Sequence, residues 1–384
     1  MTPRLELNFP NPIETRSDLF GRDREFGLVQ QLLLSPGRRP AVIMGERVTG
    51  KTSMLNVIAE WAADDAGLSV IQLPHVGSRN AFVEELLDGM AAEAGTSLHR
   101  LGLRDARGGL RAATMTEFVG VAAELCATAG ATFLVCIDEL DSMLVNCPDE
   151  DTAQQILDFL DHVIASTELP VKFAFTMTRT IQQILHSGGS PSMNAARVVF
   201  LVPWSAQQVR ELVGALLGGD DTLDGPAHEL LFAAGGGHPY LTKAVLQALQ
   251  DLGRLAPGAT ATATTATATA TTATATEAAT TTTAADLRQA IEAAARSPEV
   301  DFTLDNIAQV HFSTEELGVL LRAATTGGAI AAADPAAPRD ALDALCRRGY
   351  LLPDGAGGYV QAFGLLACWL AGKPWTHVTP EGPG

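Results

Sequence analysis

Basic residues are scarce. The chain carries 26 Lys and Arg against 44 Asp and Glu, a formal net charge of −18 over 384 residues. Such an excess repels nucleic acid and anionic lipid unless a local basic patch offsets it, and the sequence shows none. Residues 112–171 hold eleven acidic side chains and no Lys or Arg, which gives that stretch an acidic face. Cysteines are also few. Cys126, Cys136, Cys147, Cys346 and Cys368 are odd in number, lack metal-type spacing, and place Cys136 inside an apolar run. This argues against a disulfide framework or structural zinc and for reduced side chains. Long apolar runs are missing too. None approaches the ~20 residues of a membrane span, and the N-terminal MTPRLELNFPNP has no apolar signal segment, so a soluble cytoplasmic protein without membrane contact is expected.

What is present is an alternation of short apolar runs with longer helical patterns between residues 40 and 204. The runs AVIM, LSVIQL, TFLVCID, VKFAFTMT and RVVFLV suit strands buried on both faces of a parallel sheet. The expected fold class is α/β, a five-stranded parallel P-loop NTPase sheet over residues 1–204. SAQQVRELVGALLG, GPAHELLFAAGG and HPYLTKAVLQALQDLG read as helices closed by glycine, a helical lid over residues 205–256. Residues 257–285 read as a linker: from Ala259 onward they are Ala and Thr apart from Glu277, with nothing to build a core. Residues 286–384 continue with two helical patterns and then helix, strand, glycine turn, strand and a final apolar segment, the order of a winged-helix domain. Seven Lys/Arg against twelve Asp/Glu over that span favour protein packing over DNA.

The strongest local signal is GERVTGKTS, residues 45–53, which follows the first apolar run and opens a helical pattern. Gly45-x-x-x-x-Gly50-Lys51-Thr52 is a phosphate cradle. Its glycines let the loop wind tightly, so that the backbone N–H groups of Glu46, Arg47, Val48 and Thr49 and the helix start face the α- and β-phosphates. Lys51 would reach the β- and γ-phosphates, and the Thr52 hydroxyl would hold Mg²⁺, with Ser53 beside it. FLVCIDEL then places Asp138 and Glu139 at a strand tip. Asp138 suits ordering of the Mg²⁺ shell and Glu139 suits deprotonation of the attacking water. FAFTMTRT ends a further strand with Thr178 and Arg179, where a cation could meet the γ-phosphate. AGGGHPYLT sets Pro239 at a helix start behind three glycines, a composition that permits close backbone approach to a ligand.

Together with LFGRDREFGLVQQLL before the P-loop, these motifs resemble the STAND class of AAA-related ATPases, particularly prokaryotic members, over roughly residues 8–370. The resemblance implies that Gly21 and Arg22 lie against the base and ribose, that Arg179 reads the γ-phosphate, and that His238 and Pro239 sit by the adenine. It also implies ATP and ADP with Mg²⁺ as ligands, and a switch in which ADP holds a closed monomer and ATP favours self-association. The sequence departs from the class in showing neither sensor repeats nor an effector domain before Gly384, so a protein effector or sensor acting in trans is expected. Two other functions compete: a DNA-associated AAA-type loader or transcription regulator using the winged helix, and a non-hydrolysing nucleotide-stabilised scaffold. The acidic balance weighs against the first and Glu139 against the second.

Overall fold

The structure, a computed structural model, describes residues 9, 11–100, 115–185, 189–217, 223–255, 281–325, 329–331, 334, 337–348, 350–354 and 358–372. Most of the Ala/Thr tract and the glycine turn at 355–357 lie outside the described residues. The chain divides into two compact units, Pro12–Val202, and Pro203–Gly384 together with Met1–Asn11. The first unit therefore begins later than the expected domain over 1–204.

The first unit begins with α1 (Asp23–Leu34), β1 (Ala41–Met44), α2 (Lys51–Asp64), β2 (Ser69–Leu73) and α3 (Arg79–Glu93). It continues with α4 (Met115–Ala129), β3 (Phe133–Ile137), α5 (Leu140–Val145), α6 (Glu150–Ala165) and β4 (Val171–Met177). Two short helices, α7 (Ile181–Ile184) and α8 (Pro191–Asn194), lead into β5 (Arg197–Phe200). All five expected strands form, and they pair in parallel in the order β2-β3-β4-β1-β5. Parallel strands need crossovers, and the helices supply them on both faces. Side-chain alternation divides the core accordingly. Phe133, Val135, Ile137, Phe173 and Phe175 pack with α3, α4 and α6 on one face; Leu134, Cys136 and Ala174 pack with α1 and α2 on the other. Burial pushes the Cys136 thiol up to about 12, so it is an inert core side chain.

The second unit contains α9 (Ala206–Leu216), α10 (Gly225–Gly235), α11 (Pro239–Asp251), α12 (Ala284–Ala295), α13 (Pro298–His311) and α14 (Thr314–Thr325). These are followed by β6 (Ala329–Ala331), α15 (Arg339–Arg347), β7 (Leu351–Pro353), β8 (Gly358–Gln361) and α16 (Gly364–Gly372). The three strands form an antiparallel sheet in the order β6-β8-β7. The stretch read as a lid, residues 205–256, lies in the same compact unit as the elements that follow it. α11, with Leu241, Val245 and Leu249 buried, packs on α12, with Leu287 and Ile291 buried, and α10 packs on α16. The end of the Ala/Thr stretch is also structured, contrary to its reading as linker up to 285. Thr283 caps α12 through a reciprocal pair of hydrogen bonds with Asp286, and the Thr282 hydroxyl donates to the Arg254 carbonyl at 2.6 Å. All five cysteines are unpaired, and among the described residues no helix is long and apolar enough to cross a membrane.

The glycines at 235–237 serve packing within this unit. Gly237 has φ 71°, and a Cβ there would lie 1.9 Å from the Trp204 carbonyl oxygen, whose own N–H donates to Gly237 O at 2.7 Å. A Cβ on Gly236 would meet the Phe363 ring at 2.4 Å. The close backbone approach read from the sequence is thus made to Trp204 and Phe363. Gly237→Ala should destabilise this unit by at least about 3 kcal/mol, seen as an earlier urea unfolding midpoint; a midpoint equal to wild type would mean that Trp204 does not bind the turn.

Candidate nucleotide site

β1, β3 and β4 all deliver their C-terminal ends to one edge of the sheet, where open α/β sheets place their ligands. β1 leads into the loop 45–50. Gly45 is required by space, since a Cβ would stand 2.8 Å from Thr49 Oγ1 and 3.0 Å from Leu201 O. Gly50 is required by conformation, with φ 95° immediately before α2. Lys51 is 5% exposed, and its ammonium donates to Gly45 O at 3.1 Å and Glu46 O at 2.9 Å, curling over the loop. Burial pulls its pKa below the ordinary lysine value, and the charges of Asp141, Glu139, Asp138 and Glu46 act in the opposite sense.

Strand register brings the acid to the loop. Cys136 pairs with Ala174, so two residues further along the same face Asp138 and Thr176 stand together, facing α2. Thr52 Oγ1 donates to Asp138 Oδ2 at 2.8 Å, and Thr176 Oγ1 donates to Asp138 Oδ1 at 2.5 Å. The Thr176 hydroxyl in turn accepts from the Glu139 N–H at 2.7 Å, holding Glu139 in a left-handed conformation with φ 47°. His75, after β2, contributes Nε2 at 2.8 Å from the Asp138 carbonyl. The Thr52 hydroxyl and the Asp138 carboxylate present neighbouring oxygens, the donor chemistry of a hard divalent cation that keeps waters and phosphate oxygens as its other ligands.

Thr176, His75 and Asp141 were not singled out in the sequence. Thr176 had a weak signal, a hydroxyl inside an apolar strand; Asp141 had none beyond standing three residues after Asp138. Asp141 is 2% exposed, and its Oδ2 accepts from the N–H groups of Thr178 and Arg179 at 3.1 and 3.0 Å.

The other expected site residues divide. Arg179 follows β4, with its side chain 38% exposed on the sheet edge that carries Lys51. Arg22 is buried beneath the loop: its guanidinium donates to Val202 O at 2.7 Å and Thr49 O at 3.4 Å and lies 3.6 Å from Glu25. Gly21 precedes it with φ 66°. Ser53 Oγ accepts from the Ile13 N–H at 3.0 Å, which makes it an anchor of the preceding chain. His238 and Pro239 belong to the second unit, where His238 is the N-cap of α11 and stacks edge-on against Phe363 at 5.8 Å.

Comparison with known proteins bears on the fold. Residues 35–185 match the family model described as the AAA domain. No curated protein matches the chain. Among solved structures, a Walker-type ATPase of Pyrococcus abyssi is similar, with TM-score 0.58 and 15% identity over 95% of this chain and 99% of that one. The ORC2 protein of Aeropyrum pernix in ADPNP-ADP complexes has TM-score 0.51 and 16% identity, over 95% of this chain and 94% of that one. At these identities the likeness is one of fold, and the fold of the first unit is that of P-loop NTPases.

Val48 is the one residue of the loop held against its preference. It is β-branched with φ 51°, a left-handed conformation that costs such a side chain roughly 1–2 kcal/mol. Val48→Gly removes that strain while adding flexibility to the unfolded chain, for a net gain of about 1 kcal/mol by chemical denaturation. Lower stability than wild type would show the conformation to be unstrained.

Proposed function

We propose that the protein binds ATP with Mg²⁺ and hydrolyses it slowly, as a STAND-type regulatory switch that controls its own association or a partner effector. The observation that carries the chemistry is the hydrogen-bonded chain Thr52–Asp138–Thr176–Glu139 facing Lys51 across the loop. In this reading the N–H groups of the loop and of the α2 start bind the α- and β-phosphates, and Lys51 exchanges its two carbonyl partners for β- and γ-phosphate oxygens. Thr52 and Asp138 would hold Mg²⁺, which would supply charge neutralisation to the phosphates. Glu139 orients the attacking water and takes its proton, while the Thr176 bond to its backbone fixes where its carboxylate starts. Arg179 contacts the γ-phosphate and so distinguishes ATP from ADP.

The switch and its partner come from the resemblance, as do the adenine contacts of His238 and Pro239 and the base and ribose contacts of Gly21 and Arg22. The elements after α13 are proposed as a winged-helix domain, with α15 in the place of its recognition helix. A second reading, a DNA-associated loader or transcription regulator, is served equally by the fold likeness. The pairing of the two arginines at the ends of α15, Arg339 and Arg348, weighs against it. Arg339 lies 3.8 Å from Asp343 beside Asp340, and Arg348 is engaged by Glu316 at 3.4 Å and stacks over Phe312 and Tyr350. Duplex DNA binding with a steep salt dependence would reverse that preference.

Lys51→Ala should abolish ATP binding in calorimetric titration, and Glu139→Gln should bind ATP normally with turnover reduced about a hundredfold or more, because Gln keeps the shape but cannot accept the proton. Equal ATP affinity in wild type and Lys51→Ala would refute the site. Light scattering at micromolar protein tests the switch: larger species with a non-hydrolysable ATP analogue than with ADP are expected, with the difference lost in Arg179→Ala. The same mass with both nucleotides would leave a simple ATPase.

A further inference from the structure

We propose that Asp141 is the positioning residue for Arg179: its buried carboxylate fixes the chain after β4 and sets the orientation from which Arg179 distinguishes ATP from ADP. This rests on the role given to Arg179 above.

Asp141 lies in the first turn of α5 and is buried. One oxygen, Oδ2, receives two consecutive backbone amides, Thr178 N–H and Arg179 N–H, and stands 3.8 Å from Arg179 Nε. Two adjacent amides donating to one oxygen define the peptide direction beyond β4, and with it the direction in which the Arg179 side chain leaves the sheet. The other oxygen is unused. Among the described residues Asp141 Oδ1 accepts no hydrogen bond, and the equally enclosed Arg179 Nε donates none. A buried carboxylate with one oxygen unsatisfied beside an enclosed N–H is an unfavourable arrangement. A guanidinium can relieve it by aligning two parallel N–H groups with the two carboxylate oxygens. Made side-on through Nε, that alignment orients the guanidinium and leaves its outer N–H groups for a phosphate.

The charge of Asp141 also acts on the Lys51 ammonium, together with those of Glu139, Asp138 and Glu46. The same buried acid thus contacts one of the two cations assigned to the γ-phosphate and attracts the other.

A purely structural role, an acid that caps two loop amides, makes a different prediction. Losing a cap would loosen the site for every nucleotide, whereas losing a positioning residue changes the preference between nucleotides. The test is calorimetric titration of the full chain with ADP and with a non-hydrolysable ATP analogue, in wild type, Asp141→Asn, Arg179→Ala and the double variant. Wild type should prefer the analogue by about tenfold or more, and Asp141→Asn should reduce the preference to within about threefold while ADP affinity stays within about threefold of wild type. The double variant should be no worse than Arg179→Ala alone, because the two act through one contact.

An unchanged preference in Asp141→Asn, a parallel fall of both affinities, or losses that simply add in the double variant would each overturn the proposal. Should Asp141→Asn not fold, Arg179→Lys carries the test. Lysine keeps the charge but has a single ammonium in place of the planar fork, so it cannot be oriented by Asp141 through one edge while meeting a phosphate with the other, and it should lose the preference as Arg179→Ala does; a wild-type preference in it overturns the proposal. The outcomes separate this inference from the site itself. Binding that survives Lys51→Ala, or the absence of any preference in wild type, removes both. A preference lost in Arg179→Ala but kept in Asp141→Asn removes this inference alone.

Discussion

Asp138 accepts a hydroxyl hydrogen bond on each oxygen, from Thr52 on one side and Thr176 on the other, and these two bonds tie together three segments far apart in sequence. Thr52 belongs to the helix that opens beneath the phosphate loop, Asp138 to the end of β3 and Thr176 to β4. The bonds depend on the parallel register, which sets residues 138 and 176 side by side on the face toward α2. A slip of one residue in either strand would turn one of the two partners to the opposite face and dismantle the site. The core around β3 and β4, to which these two strands give seven apolar side chains on the far face, enforces that register.

The same carboxylate organises its surroundings. Thr176 passes the restraint to the Glu139 backbone, and Glu139 starts the short helix that carries Asp141 back to the end of β4. The strand tips are therefore held by side chain to backbone bonds as well as by the sheet ladder. These bonds are part-buried and join residues 37 or 38 positions apart in the chain, and they hold in place acidic segments whose several negative charges act on one cation, Lys51.

Much of this was legible in the residues themselves. Five apolar runs without alternation mark strands covered on both faces, and all five occur where the runs are. The P-loop and Asp138 follow from spacing and from position at a strand end. Thr176 and Asp141 were not legible, because their roles depend on which strands are neighbours, and β3 pairs with β4 across a helical crossover. β6, with its sequence AIA, carries too little apolar or branched character to announce a strand and forms by pairing with β8. The helix α13 begins at Pro298 behind the Ser297 cap, a start signal that went unread between two stronger patterns. The three glycines before His238 suggested a ligand, since composition states that backbone must come close but not what it comes close to; within the unit the neighbours are Trp204 and Phe363. Arg22 and Ser53 were legible as members of motifs, but that their side chains also hold the backbone at Val202, Thr49 and Ile13 was not.

The hydrogen bond from the Thr282 hydroxyl to the Arg254 carbonyl, with the bridge from Thr282 to Leu223, pins together the two ends of the Ala/Thr stretch. The same pinned ends make the position a port at which a reporter domain with neighbouring termini can be inserted without disturbing the helices on either side.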